Sequence, residues 1–369
     1  MPGDLLLITG GGTGGHVSPG LGVATEWMRR HGDGSVAWVG RKDSIEQDMV
    51  GRAGLPFHAV ESAAFKRQWT LNNLAIPGVL LAGLRQATAL LASRPAAAVL
   101  MTGGYVGMPL SLAALRARQP LVLLEPNAVP GLANRLLKPL AAKLCLGWPP
   151  ETPQSEDAVA VTGIPCRLGV LARPADARAA LSLAPERRTL LILPGSQAAR
   201  AINAALRASL PSFADKAGAW QWIWMCGSAE EEACREAAAE APFPVQVHAF
   251  IYDIATAYAA ADLVLCRSGA STLAELGVGA KPSLQVPYPH ATGDHQRANA
   301  AAFVRGGAAA LLDERDLSPE SLQRALRSLM DGDLGRMAAA ARTLGQPQAA
   351  VKVVDVIETA AGMHPPAAL

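Results

Sequence analysis

Two places in this sequence set residues capable of chemistry directly behind short apolar runs. In the first, Leu5-Leu6-Leu7-Ile8 leads into Thr9-Gly-Gly-Gly-Thr-Gly-Gly-His16. The glycines let a ligand approach the backbone closely at Thr13, Gly14 and Gly15, with a helix N-terminus behind them. His16 at the loop's end suits a general base or a sugar-contacting group, or simply a polar residue at a helix entry. In the second place, Leu263–Cys266 leads into Arg267-Ser-Gly-Ala270-Ser271-Thr272-Leu-Ala-Glu275. Backbone N–H groups and hydroxyls at that helix start make a natural anion site. Glu275, one turn in, carries a carboxylate able to accept both hydroxyls of a ribose diol. Thr272 to Glu275 also spells a capping box, which would serve only the helix start. A further strand ends at Val286-Pro287, and a polar loop follows with His290, Asp294, His295, Gln296, Arg297 and Asn299.

These residues need strands and helices to hold them. Strand-like runs recur at Val36–Val39, Phe57–Val60, Ala97–Thr102, Leu121–Leu124, Lys143–Leu146 and Ala158–Thr162, then at Leu190–Leu193, Trp222–Met225 and Val245–Ala249. Helical stretches separate most of them, which predicts βαβ units and parallel sheets. The spacing predicts helices over Val17–Arg30, Pro319–Met330, Leu334–Leu344 and Ala350–Ala361. Ligands of such sheets bind where strands end. Gly10-x-Gly12-x-x-Gly15 also fits the dinucleotide fingerprint, so a nicotinamide or flavin enzyme is a rival. That rival wants an acidic residue at the end of the second strand, where this chain has Gly40-Arg41-Lys42; an NADP enzyme could use those cations.

At 369 residues, with 50% hydrophobic and 17% charged, the chain suffices for two α/β domains with substantial cores. A net charge of +2 argues against a general nucleic-acid binder. The five cysteines form no C-x-x-C pair and read as reduced thiols, several of them buried. The N-terminus has no basic n-region, and no stretch reaches the ~20 apolar residues of a spanning helix, so a soluble or peripheral protein is expected. Asp331-Gly-Asp333 sits between two helices and reads as a turn. No His/Cys/Asp cluster has metal-ligand spacing. Lys66 to Arg85 combines Trp69, Leu74, Ile76, Val79, Leu80 and Leu81 with bracketing Lys66, Arg67 and Arg85. It suits a buried helix or a surface that dips into an anionic membrane, and Arg135, Lys138 and Lys143 could extend its basic rim.

RSGASTLAE followed by VPYPHATGDHQRANA resembles the nucleotide-sugar half of the MurG family, and GGTGGH resembles its first glycine motif. The resemblance implies the α/β GT-B glycosyltransferase architecture, two Rossmann-like domains facing a cleft. It divides the chain into an acceptor and membrane-side domain at 1–164, a UDP-sugar domain at 165–346, and a last helix in 347–369 that packs back on the first domain. It implies inverting transfer of N-acetylglucosamine from UDP-N-acetylglucosamine to muramyl-pentapeptide pyrophosphoryl-undecaprenol at the cytoplasmic face of the bacterial inner membrane. No cofactor is implied, with Mg²⁺ stimulation left open. His16 becomes the first choice for the base, with Glu125 and Asp294 as alternatives. Asn127 aligns with a residue that touches the donor sugar, Arg167 faces a donor phosphate or base, and Ile251 lies where the uracil packs. Thr13, Gly14, Gly15, Ser196, Ala270, Ser271, Thr272, Glu275 and Gln296 complete the expected donor contacts. Pro126, Ile164, Cys166, Pro194 and Ala198 depart from the family's usual residues, and Pro194 removes one possible N–H to a phosphate. A diacylglycerol-type lipid glycosyltransferase and an isomerase resembling UDP-N-acetylglucosamine epimerase share much of this layout.

Overall fold

A computed structural model describes residues 4–63, 76–150, 155, 157–166, 168, 171–195, 199–291 and 294–363. Lys66, Arg67, Trp69, Leu74, Arg167, Ser196 and Ala198, all singled out in the sequence, lie outside the described residues. The chain divides into two compact units, residues 1–167 with 346–369, and residues 168–345.

Among the described residues the first unit is built on seven strands: β1 (Leu6–Thr9), β2 (Val36–Gly40), β3 (Phe57–Ala59), β4 (Ala98–Met101), β5 (Leu121–Glu125), β6 (Lys143–Leu146) and β7 (Val159–Val161). They pair in the order β3-β2-β1-β4-β5-β6-β7, and all are parallel. Parallel strands need covering on both faces, which is why β1 and β4 are apolar at nearly every position. Alternate side chains go to opposite layers. Leu6 and Ile8 pack with Val17, Leu21 and Trp27 on one face, whereas Leu7 joins Leu91, Leu110 and Ala113 on the other. The helices here are α1 (Gly14–His31), α2 (Ile45–Arg52), α3 (Ile76–Ser93), α4 (Met108–Arg116) and α5 (Leu132–Leu137). Arg29, Arg30 and His31 fill the last turn of α1, where cations suit the helix dipole. Ser44 caps α2 by accepting from the Gln47 N–H at 3.3 Å.

α3 covers the described part of the apolar Lys66–Arg85 stretch. Its 18 residues have a mean hydropathy of 1.3, long and apolar enough by composition to cross a membrane. Its packing is that of a layer helix, because Gly83, Ala87 and Leu91 turn inward and a Cβ on Gly83 would lie 1.9 Å from the Glu61 carbonyl oxygen. Leu80 and Leu81 remain exposed on its outer side.

The second unit repeats the plan with β8 (Arg188–Leu193), β9 (Trp220–Met225), β10 (Val245–His248), β11 (Leu263–Cys266), β12 (Ser283–Gln285) and β13 (Ala309–Leu311). The order is β10-β9-β8-β11-β12-β13, again parallel. Around it lie α6 (Pro174–Ala180), α7 (Ala199–Ser209), α8 (Glu231–Ala239), α9 (Ile254–Ala260), α10 (Ala270–Val278), α11 (His295–Arg305), α12 (Pro319–Met330) and α13 (Leu334–Leu344). Trp222 and Trp224 are fully buried, and Asn203 accepts the Trp224 indole N–H at 2.9 Å. Asp333 caps α13 by accepting from the Arg336 N–H at 2.9 Å, so Asp331-Gly-Asp333 forms a helix-to-helix turn. Burial pushes the Cys145 and Cys226 thiols up to about 12, which makes them poor nucleophiles.

The chain then returns to the first unit as α14 (Ala349–Ala360), which packs on α1. Val353, Val354 and Ile357 join the core beside Trp27. A charged clamp fixes the pair: Arg30 donates to Glu26 at 2.8 Å, and to Asp355 and Glu358 at 2.8 Å each, while His31 Nε2 lies 2.9 Å from Glu358. Arg29 bonds the outer side of Glu26, which holds that carboxyl below its ordinary value. The Arg30 and Glu358 side chains are only 9% and 1% exposed, so the clamp is a buried one. Removing one partner of a buried pair leaves an uncompensated charge, at a cost of roughly 3–5 kcal/mol. Arg30→Ala should therefore lower the denaturation midpoint strongly, whereas Arg29→Ala, at a largely exposed position, should leave it nearly unchanged; urea unfolding of both variants checks this.

Candidate active site

In each unit the strand order reverses at one pair of neighbours, β1 and β4 in the first, β8 and β11 in the second. Ligands of open α/β sheets settle beyond the carboxyl ends of the strands at such points. Both glycine motifs of the sequence lie there.

In the first unit the turn after β1 meets the turn after β4. The Gly11 N–H donates to the Gly103 carbonyl at 3.4 Å. Gly103 and Gly104 have φ of +103° and +82°, and their absent side chains leave the necessary room. A Cβ on Gly103 would stand 2.9 Å from His16 Cδ2, and one on Gly104 would stand 2.4 Å from the Gly11 oxygen. Only glycine fits both the backbone and the gap. Thr13 is the N-cap of α1, Gly14 and Gly15 open the helix, and His16 folds back over the loop. His16 Nδ1 lies 3.0 Å from the Gly11 carbonyl oxygen and 3.3 Å from the Thr13 hydroxyl. A carbonyl can only accept, so Nδ1 carries the hydrogen and the basic lone pair falls on Nε2. That is the tautomer a general base requires.

Glu125 does not look like a base. It ends β5 almost fully buried, and both carboxylate oxygens are engaged. Oε1 accepts from the Asn127 backbone N–H and side-chain amide at 3.0 and 3.1 Å; Oε2 accepts from the Gly131 N–H and the Asn134 amide at 2.8 and 2.9 Å. Four donors make Glu125 the organiser of the 125–134 loop, and they orient Asn127. Pro126 fits this loop, since its carbonyl accepts the Trp148 indole N–H at 3.1 Å.

In the second unit, Pro194 and Gly195 follow β8, and Arg267, Ser268 and Gly269 follow β11. The N-cap of α10 is Gly269, so Ala270, Ser271 and Thr272 form the first helical turn. This corrects the capping-box reading: Thr272 is the third residue inside the helix and cannot cap it from there. Glu275 is 7% exposed and accepts from the Tyr258 hydroxyl at 3.1 Å, which steadies its carboxylate. Arg267 is buried, donates to the Val286 carbonyl at 3.0 Å, ion-pairs with Glu314 and stands over the Tyr288 ring at 5.5 Å. Burial lowers its pKa, and the Glu314 charge opposes that. It fastens the β11 turn to the segment after β12. Asn299 of α11 donates to the Ser268 carbonyl at 3.3 Å, and Gln296 accepts from the Tyr288 N–H at 2.9 Å. Asp294, the other base alternative, sits at the start of α11 with φ of +53° and pairs with Arg297 at 3.3 Å. Ile251 is half-buried between Phe250 and Tyr252, whose exposed rings are 4.9 Å apart.

Thr13, Gly14, Gly15 and His16 thus stand together in the first unit, and Ala270, Ser271, Thr272 and Glu275 share one helix in the second. The sequence did not single out Glu46, Asn134 or Tyr258, whose partners lie 34, 9 and 17 residues away, or Glu314, whose partner Arg267 is on a different element. Among the described residues no group of three His, Cys, Asp or Glu side chains could hold a metal ion.

Two parallel-sheet Rossmann-like units, each with a ligand-ready turn at its reversal point, define a GT-B glycosyltransferase. The Glycosyltransferase family 28 N-terminal domain matches residues 6–145, and the family 28 C-terminal domain matches residues 189–357. A UDP-N-acetylglucosamine--N-acetylmuramyl-(pentapeptide) pyrophosphoryl-undecaprenol N-acetylglucosamine transferase of Desulforudis audaxviator is 36% identical, covering 97% of this chain and 98% of its own. The enzyme so named from Nitratidesulfovibrio vulgaris (strain Hildenborough) is 39% identical, covering 95% and 96%. The crystal structure of Acinetobacter baumannii MurG superposes with a TM-score of 0.73 at 30% identity, covering 96% of this chain and 99% of that one. The chain belongs to the MurG family. A putative UDP-N-acetylglucosamine 2-epimerase from Listeria monocytogenes, at 14% identity and a TM-score of 0.64, shares the fold alone. Neither the isomerase nor the nicotinamide alternative has support comparable to this full-length match.

Proposed function

We propose that this protein transfers N-acetylglucosamine from UDP-N-acetylglucosamine to the lipid-linked muramyl-pentapeptide pyrophosphoryl-undecaprenol, with inversion at the anomeric carbon. The observation that carries this is the match, over essentially the whole chain, to enzymes named for that transfer. In this reading the second unit takes the donor. Ala270, Ser271 and Thr272 offer N–H groups and hydroxyls to the pyrophosphate at the α10 N-terminus, and Glu275 accepts from the ribose hydroxyls. Ile251 borders the uracil, Gln296 and Asn127 reach sugar hydroxyls, and Arg167 and Ser196 face the phosphates. Fixed dipoles and cations at these positions stabilise the charge that develops on departing UDP. Thr13, Gly14 and Gly15 supply further backbone contacts from the first unit. His16 Nε2 takes the proton of the attacking acceptor hydroxyl; its tautomer supports that role, and the engaged oxygens of Glu125 speak against the alternative.

Radiolabelled sugar transfer from UDP-N-acetylglucosamine, measured with and without the muramyl lipid, tests the reading. Donor consumption that needs no lipid acceptor would point to an isomerase. His16→Ala should lower kcat by roughly 10²–10⁴ while the donor KM changes little; a raised KM with kcat intact would make His16 a binding residue. Glu275→Ala should weaken UDP binding by about 1.5–3 kcal/mol, roughly 10–150-fold, since a charged hydrogen-bond acceptor is lost. Calorimetric titration with UDP measures it, and unchanged affinity would remove Glu275 from the donor site and leave it a structural residue bonded by Tyr258.

We also place the protein at the cytoplasmic face of the bacterial inner membrane as a peripheral enzyme docked on anionic lipid. Leu80 and Leu81 on α3, and Leu132, Leu136 and Leu140 at α5 and just beyond it, are exposed. In sequence, Arg135, Lys138 and Lys143 accompany the second group, and Lys66, Arg67 and Arg85 bracket the first. Each cation near an anionic surface contributes about 1 kcal/mol, screened as salt rises. Replacing Lys66, Arg67 and Arg85 by Gln should weaken co-sedimentation with anionic vesicles at low salt and leave neutral vesicles unaffected. Equal binding by wild type and variant would remove these cations from the docking surface.

A further inference from the structure

Glu46 is a carboxylate that no reaction step has used. It lies in the first turn of α2 and is fully buried. Its Oε2 accepts the Gly12 N–H at 3.3 Å, and its Oε1 accepts the Arg41 N–H at 3.3 Å. The fit is close: a Cβ on Gly11 would stand 2.6 Å from the carboxyl carbon, and one on Gly40 would stand 3.1 Å from Glu46 Cγ. No side-chain cation is among the hydrogen-bond partners described for it, so this acid is held by backbone amides.

The amide it meets is the one that holds His16. The Gly12 N–H and the Gly11 C=O belong to one peptide group. Its N–H faces Glu46 Oε2, and its oxygen lies 3.0 Å from His16 Nδ1. A carboxylate at the N–H end polarises the peptide and makes its carbonyl oxygen a stronger acceptor, because successive hydrogen bonds reinforce one another. A stronger acceptor holds the Nδ1–H tautomer, fixes the ring and stabilises the imidazolium. In serine proteases a carboxylate does this by touching the imidazole directly. Here the same influence crosses one peptide unit. Gly11 cannot give way sideways, since its own N–H is tied to Gly103 and its oxygen fills the space beside Gly104. Tyr105 also lies against this loop, its ring 3.5 Å from where a Cβ on Gly12 would stand, and its hydroxyl accepts from Arg41 at 3.2 Å.

We propose that Glu46 is the positioning residue of His16, acting through the Gly11–Gly12 peptide as a relayed carboxylate–imidazole pair. The proposal rests on the reading of His16 as the base only for its kinetic consequence. The relay itself is read from the imidazole.

The variant is Glu46→Gln, which keeps the shape and an oxygen for the Gly12 N–H but removes the charge. Ring-nitrogen NMR of the histidine-labelled full chain, with His16→Gln to assign the signal, follows the tautomer and titration of His16. With the charge gone the imidazolium loses support, so the His16 midpoint should move to lower pH by about half a unit to one unit. The Nδ1–H form should become less dominant at high pH. In the transfer assay kcat should fall about tenfold with little change in donor KM, and the acid limb of the kcat profile should move to lower pH in step. Glu46→Asp, retaining the charge on a shorter arm, should recover part of the shift. Thermal unfolding accompanies each variant, and ring titration is compared only on chains that melt cooperatively. If Glu46→Gln is unfolded, Glu46→Asp is compared with wild type in the same titration, and a midpoint unmoved by the longer gap overturns the relay. A His16 midpoint and tautomer unchanged in folded Glu46→Gln overturn it too. A shifted midpoint with an unmoved kcat profile upholds the relay and instead removes His16 as the base.

Discussion

Everything at the first reversal point depends on one crowded contact, the crossing of the turn after β1 by the turn after β4. Neighbouring parallel strands lie about 4.8 Å apart, so two turns that leave adjacent strands and bend toward each other meet backbone to backbone. Side chains have no room there: a Cβ on Gly104 would stand 2.4 Å from the Gly11 oxygen. With side chains gone, the chemistry must be done by peptide groups and by whatever reaches in from a helix. His16 reaches in from α1 and takes its orientation from a carbonyl. The glycines therefore serve to expose a peptide group on both of its edges as much as to admit a ligand.

The second unit meets the same geometric problem with side chains. Its β11 turn is pinned by Arg267, which spans from that turn to Val286, Tyr288 and Glu314, and by Asn299 from α11. Beyond that turn, Ser271, Thr272 and Glu275 lie along the first turns of one helix. Spacing along a helix is regular, so the hydroxyls and the carboxylate keep fixed separations. One unit thus presents a loop shaped by exclusion and the other a helix face shaped by anchoring.

Much of this was legible before the structure. The strands announced themselves as apolar runs because parallel strands are buried on both faces, and the glycine motifs at their ends followed from sheet topology. β13 escaped notice because Ala309–Leu311 is three residues long and not strongly apolar. At α10 two readings competed, because Thr272 and Glu275 have capping-box spacing; the N-cap at Gly269 leaves the helix start where the anion-site reading had it, with Glu275 in its second turn. Glu125 stood as an alternative to His16 because sequence shows a carboxyl and not its four donors. Glu46 was invisible for a related reason: its meaning comes from an amide 34 residues away, and nothing local marks it.

The clamp between α1 and α14 bears on how the molecule comes into being. Trp27 and the β-sheet core beside it pack against Val353, Val354 and Ile357, and Arg30 finds two of its carboxylates on the same helix. A ribosome delivers those residues only after the whole second unit has emerged. The second unit can close on itself during synthesis, but the first must wait with one flank of its sheet uncovered and Arg30 short of partners. Order of manufacture and order of completion are thus reversed: the unit begun first is finished last, and the chain's early half is the one that most needs protection from unwanted association while it waits.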